Sequence, residues 1–212
     1  MIVVCHCQLT NSSSSLLAGN LTQQTALLID LFLQPKYEAD KKRIVELANR
    51  DDKEAFEELE GYVYEGMRLQ PVVLGLPRQA AKDVHIKDGD RDVFVKAGNR
   101  LIIGTSRAHL DPKAFPDPEK LNPHRPRKDY ILLGAGLHFC FGARLVGPAI
   151  AGMLKEIFKL PNLRRAPGRP GSFVRVTEDV AEGVKTYLYL DTFCRESVSG
   201  NHSMLMLSLN ID

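Results

Sequence analysis

The stretch that decides the fold is Leu133-Gly134-Ala135-Gly136-Leu137-His138-Phe139-Cys140-Phe141-Gly142. One cysteine stands among three glycines and bulky apolar residues, with a histidine two places before it. A lone thiolate binds a metal only where other groups complete the coordination shell. A haem does this, because the porphyrin fills the equatorial positions and leaves an axial site for one protein sulfur. The glycines allow the backbone to come close to a flat macrocycle and to turn amide hydrogens toward the sulfur. Phe139 and Phe141 are placed to shield that sulfur and tune its electron donation.

The ten residues resemble the cysteine loop of the cytochromes P-450, the haem-thiolate monooxygenases, whose pattern is F-x-x-G-x-(R/H)-x-C-x-G. Only the first position departs, where Leu133 replaces phenylalanine. Other family elements follow in the family's order. Glu65 and Arg68 form E-x-x-R, and their i,i+3 spacing puts them on one helix face. Arg125, in Asn122-Pro123-His124-Arg125-Pro126, stands where the family supplies a further arginine to that glutamate. One carboxylate shared by two guanidiniums can satisfy a buried network, and its implied task is to brace the cysteine loop. The resemblance further implies haem b with iron ligated by Cys140. His138 and Arg78 would hold its propionates, and Phe139 and Gly136 would lie against it. The implied fold is mainly α with a small β-sheet, the C-terminal half of the cytochrome P-450 fold.

Upstream, Leu16 to Gln23 resembles the family's long helix across the iron. Monooxygenases there carry A-G-x-(D/E)-T. Ala18, Gly19 and Thr22 match, but Leu21 occupies the acid position, and leucine cannot relay a proton. Asn20 and Gln23 instead resemble the A-N-x-x-Q element of the C-terminal domain of fungal linoleate diol synthases and psi-factor-producing fatty acid oxygenases, with Gly19 in place of the alanine. Asn162 to Gly168 is similar to the same group. There a peroxidase-like domain makes a fatty-acid hydroperoxide and the haem-thiolate domain rearranges it. This implies a hydroperoxide isomerase in oxylipin formation, with Asn20, Gln23 and Thr22 as catalytic candidates and a fatty acid or its hydroperoxide as substrate. The alternatives are a monooxygenase using dioxygen and a reductase, and a truncated, inactive fold remnant.

The hydrophobic periodicity predicts helices at Leu16 to Leu33, capped by Ser15, and from about Glu38 to Ala48. A third runs from Asp52 to Leu69, with Phe56, Leu59, Val63 and Met67 as a buried stripe. Alternating pieces at Gly75 to Ile86 and Asp92 to Ile103 read as strands around the turn Lys87-Asp88-Gly89-Asp90. Asp111 to Asp129 has no period and reads as an ordered meander. A last helix is expected from Ala143 to Leu160, where Pro148 costs about 3 kcal/mol unless the helix starts late or kinks. Pro167 to Gly171 reads as a turn, and Met204 to Leu209 could pair as a strand. The expected organisation is a disordered leader at 1–14, a partial P-450 domain at 15–192 and a divergent tail at 193–212.

Composition narrows the classes further. A hydrophobic content of 44% suits a core, and the net charge of +2 without a basic run argues against nucleic acid. No apolar run approaches the roughly 18 residues of a membrane span. The four cysteines show no disulfide or zinc spacing. Cys5-His6-Cys7 would leave a tetrahedral metal site half built. The expected setting is reducing and intracellular, in the cytoplasm.

Overall fold

The computed structural model describes residues 2–5, 13–165, 174–181, 184–190 and 206–210. Four long helices form its centre: α1 (Ser13–Phe32), α2 (Glu38–Ala48), α3 (Lys53–Leu69) and, after a short α4 (Thr105–Ala108), α5 (Ala143–Phe158). Their apolar faces meet in one core. Leu28, Phe32, Ile44, Leu59, Val63, Ile150, Leu154 and Phe158 are all but sealed from solvent. Phe32 sits at its middle, meeting the rings of Tyr62 at 6.2 Å and Phe158 at 6.3 Å edge-on, the arrangement that aromatic quadrupoles favour.

Local chemistry explains most boundaries. Asp52 caps α3, accepting from the Ala55 amide at 2.9 Å, and Pro71 forbids continuation beyond Gln70. The expected stripe is present: Leu59, Val63 and Met67 are buried, while Phe56 is only partly so. Ser15 lies inside α1, which starts two residues earlier at Ser13. Pro148 neither delays α5 nor ends it. Its ring is exposed in the second turn, where the missing amide would have bonded to the carbonyl of Arg144, also exposed. The helix therefore loses one bond on its solvent side and keeps its buried face.

The strand regions are shorter than their patterns suggest. Each expected strand divides, giving β2 (Leu76–Gln79), β3 (Val84–Asp88), β4 (Arg91–Val95) and β5 (Arg100–Ile103). β3 and β4 pair around Gly89-Asp90, with Gly89 at φ +58° as a tight hairpin opening on glycine requires. β2 pairs with β5 outside them. The break between the two pairs has a cause. Ala80 exchanges bonds with Asn99 and Gly98, and the Asp83 carboxylate captures the Ala97 amide at 2.7 Å.

Four further strands lie in the C-terminal part: β6 (Arg164–Arg165), β7 (Val174–Ala181) paired with β8 (Val184–Leu190), and β9 (Met206–Asn210). β9 joins β6 on one side and β1 (Ile2–Cys5) on the other. Ile2 to Cys5 is thus a strand where a disordered leader is expected, in keeping with its β-branched run Ile2-Val3-Val4. His6, Cys7 and the turn expected at Pro167 to Gly171 lie outside the described residues. Among the described residues no helix is long and apolar enough to cross a membrane.

Asp111 to Asp129 follows an aperiodic path of turns ending in one 3-10 turn at Arg127–Asp129. It lies so close to α3 that a Cβ on Gly61 would sit 2.1 Å from the Pro123 carbonyl oxygen. Backbone cannot yield as a flexible side chain can. Gly61→Ala should therefore push the meander off α3 and destabilise the fold by about 1–3 kcal/mol, read as a lower thermal midpoint.

Candidate functional site

The site is built outward from one buried carboxylate. Glu65 and Arg68, one turn apart on α3, are both sealed from solvent. Arg68 donates Nε to Glu65 Oε1 at 2.8 Å and Nη2 to Oε2 at 2.9 Å, a bidentate pair. Tyr130 donates its hydroxyl to Oε1 at 2.7 Å, the Asn122 amide reaches Oε2 at 2.8 Å, and Arg125 Nε approaches Oε2 at 3.4 Å. The expected trio of Glu65, Arg68 and Arg125 is therefore assembled. The remaining donors of Arg68 go to backbone carbonyls: Nη1 to His109 and Pro118, Nη2 to Lys120. Arg125 Nη2 donates to Pro116. The Phe115 ring lies 5.4 and 5.9 Å from the two guanidinium carbons, where a π face attracts positive charge.

Burial alone would raise the Glu65 pKa, but the bonds from Arg68, Tyr130 and Asn122 outweigh it and hold the carboxyl below its ordinary 4.5. Burial, and then the bond to the same carboxylate, push the Tyr130 phenol well above its ordinary range.

His109 carries the bracing onward. Its ring is 1% exposed. Nδ1 donates to the Thr105 carbonyl at 2.8 Å, while Nε2 accepts the Ile131 amide at 3.0 Å. These two partners fix the neutral tautomer, and burial keeps the imidazole below its ordinary 6.5. Two residues on, the Leu133 carbonyl accepts the Cys140 amide at 2.8 Å. The loop between them turns through Gly134 and Gly136, at φ +81° and +62°. A Cβ on Gly134 would also meet the His138 carbonyl oxygen at 2.9 Å.

Cys140 is half-buried and lines a mainly apolar cavity of about 560 Å³. α1 contributes Asn20, Leu21 and Gln24 to this cavity, the segment after α3 contributes Pro71 to Val73, and α5 contributes Val146 and Ile150. The loop itself contributes Gly134, His138 and Phe141. Among the described residues no group of three or more His, Cys, Asp or Glu side chains could hold a metal ion. One cysteine on an apolar wall is a donor set that suits an iron whose other ligands come from a porphyrin, so the residues present fit a haem.

Several expected residues stand elsewhere. Thr22 is exposed and faces a second groove, between α1 and α5. Gln23 is partly buried and does not line the cavity. The helical rotation of about 100° per residue explains both: Asn20, Leu21 and Gln24 share a face, and Thr22 and Gln23 turn away from it. Phe139 is 58% exposed and, like Gly136, is not on the cavity wall, so it does not shield the sulfur. Phe141 reaches the cavity but is fully exposed at its mouth. Arg78 stands on the same face of β2 as the lining residue Leu76, with Nη1 bonded to the Pro77 carbonyl at 2.8 Å. Gln24, Tyr130 and Asn122 are additions to the expected set, and His109 gains a defined role. Only Gln24 had a usable signal, its i+4 spacing from Asn20.

Two outcomes check this account. Arg68→Ala strands the Glu65 charge and should cost about 3–5 kcal/mol by chemical denaturation. Acid should act in two windows, because His109 and Glu65 each bind fewer protons folded than unfolded. Stability present above pH 6.5 should begin to fall below it as His109 is forced to charge, and fall again below 4.5 as Glu65 protonates. His109→Asn should remove the first of these steps.

Comparison with known proteins agrees with the geometry. The Cytochrome P450 family model matches residues 39–158. A bifunctional dioxygenase (DOX)-epoxy alcohol synthase (EAS) of Pyricularia oryzae is 35% identical over 167 residues, covering 77% of this chain and 14% of that protein. Psi-producing oxygenase A of Emericella nidulans is 35% identical over 161 residues, with 76% and 15% covered. The P450 heme domain of Tepidiphilus thermophilus matches with a TM-score of 0.62 at 19% identity, over 76% of this chain and 36% of that one. The chain thus spans 14–15% of the length of these two fungal relatives. Its helices, small antiparallel sheets and braced cysteine loop are part of the P450 fold, and the chain belongs to the cytochrome P450 family.

Proposed function

We propose that this chain carries the haem-holding portion of a fatty-acid oxygenase and that its reaction is the isomerisation of a fatty-acid hydroperoxide. The observation that carries the reading is the pairing of Cys140 with Asn20 and Leu21 around one apolar cavity. Cys140 would hold the iron, and His138, with Arg78 beside the cavity, would meet the propionates. When bound, the haem would supply an iron able to lend electrons to the cleavage of a peroxide O–O bond and to recover them from the same substrate, so that the isomerisation is redox-neutral.

The chain's own residues decide which oxygen source suits the site. Leu21 lines the cavity where a monooxygenase has its acid, and Thr22 faces the other groove. Neither is placed to pass a proton to bound dioxygen. A hydroperoxide arrives with its O–O bond already formed, and isomerisation needs no external electrons. The Asn20 carboxamide can donate a hydrogen bond to a peroxide oxygen. Val72, Val73, Val146 and Ile150 offer apolar surface to an acyl chain and exclude water from the reacting end. The name of the Pyricularia relative couples a dioxygenase to an epoxy alcohol synthase, and a peroxidase-like domain is the partner that would supply the hydroperoxide here.

Protein reconstituted with haem should give a thiolate-type carbon monoxide difference spectrum after reduction, and Cys140→Ala should abolish it. A linoleate hydroperoxide should be rearranged with no reductase present. Asn20→Leu should lower kcat by about 10²-fold. Turnover that requires added electrons would establish the monooxygenase instead; a wild-type chain without the thiolate spectrum would be an inactive remnant.

A further inference from the structure

We infer that Gln24 is a positioning residue that clips the Gln70–Val72 backbone to α1 and so sets the shape of the cavity wall against which an acyl chain lies. The inference rests on the fatty-acid reading above. Gln24 is 5% exposed yet lines the cavity. Its Nε2 donates to the Gln70 carbonyl at 2.9 Å, and its Oε1 accepts the Val72 amide at 3.0 Å. A carboxamide carries a donor and an acceptor side by side, so one side chain satisfies two backbone groups two residues apart.

That backbone needs such a clip. Residues 71–75 lie between α3 and β2 without ladder bonds of their own. At the far end Ser106 holds the Leu74 carbonyl, by its hydroxyl at 2.8 Å and its amide at 3.3 Å. Between the two tethers, Pro71, Val72 and Val73 face the cavity. Gln24 also lies one turn beyond Asn20 on the same face of α1. The helix thus presents one carboxamide to the ligand and a second to the wall beside it. Losing the clip frees the wall without touching Cys140 or the Glu65 network.

The test uses the full chain loaded with haem and linoleic acid as the probe, with binding read from the fatty-acid-induced change in the haem spectrum. Gln24→Met keeps the side-chain volume and removes both bonds. It should raise the Kd for linoleic acid about tenfold and speed amide exchange in peptides spanning Val72 by about tenfold or more. Exchange over residues 133–142 and the carbon monoxide spectrum should not change. Gln24→Asn falls one methylene short and should behave the same way. Gln24→Glu keeps an acceptor for Val72 but donates to Gln70 only while its carboxyl is protonated, so, against wild type at the same pH, it should bind linoleic acid normally in acid and as weakly as Gln24→Met once ionised.

Faster exchange with unchanged affinity would reduce Gln24 to a structural role and overturn the inference. So would unchanged exchange, loss of the thiolate spectrum in both the Met and Asn variants, or a wild-type protein that binds no linoleic acid. A wild type that binds linoleic acid but leaves the hydroperoxide intact would sink the proposed reaction alone, since the Gln24 comparison is then still decided by binding.

Discussion

Everything in this molecule that bears on the thiol is measured from the Glu65 carboxylate. Burying an ionised carboxyl costs several kcal/mol unless its lone pairs are met. Here donors from Arg68, Tyr130, Asn122 and Arg125 converge on its two oxygens. Only the first of these comes from the same helix. The others lie 57 to 65 residues away along the chain. A stretch with no periodic bonding thereby acquires one path, since moving it would strip donors from a buried charge. Arg68 extends the constraint through the carbonyls of His109, Pro118 and Lys120. A loop of this length is ordered because its polar groups have an alternative to the ladder of a sheet.

The same helix fixes the other wall of the cavity. Gly66 brings α1 so near that a Cβ there would lie 2.4 Å from Leu28 Cδ2, and one on Gly147 of α5 would lie 2.4 Å from Glu60 Oε1 and 2.9 Å from the Tyr64 ring. α1, α5 and the meander that leads into the cysteine loop are therefore all positioned against α3. Distances between the thiol and the α1 carboxamides then depend on one rigid body. Such precision is what a catalytic site needs, because misplacement by about 1 Å can cost 10²-fold in rate.

This division also explains what the sequence could disclose. Cys140, Glu65, Arg68 and Arg125 were legible because they stand at the spacings and in the order of the family the chain resembles. Tyr130 was silent because its bond joins it to Glu65 across 65 residues, a separation no local pattern encodes. The role of His109 was silent for a related reason: both partners of its ring are backbone groups, which leave no signature in residue type. Helix existence was plain, but register was not. A pattern of letters selects Gln23, whereas the rotation of α1 delivers Gln24. The strand at Gly75 to Ile86 misled because a side chain, Asp83, takes over a ladder position and alternation alone cannot show it.

A tension remains between the inside and the outside of the cysteine loop. Inside, its backbone is anchored through Leu133, Ile131 and His109 to the buried network. Outside, Leu137 and Phe141 are fully exposed, and Phe139 and Leu145 are more than half so, a dense apolar surface. These two properties govern different quantities. The bracing fixes where the sulfur stands, while access of water to that sulfur governs how strongly it donates electrons. Geometry is thus intrinsic to this chain, whereas donor strength depends on what lies against the exposed Phe141 ring at the cavity mouth. A substitution in the Glu65 network should disturb the position of the thiol, and one at Phe141 its electronics, so the two effects are separable by residue.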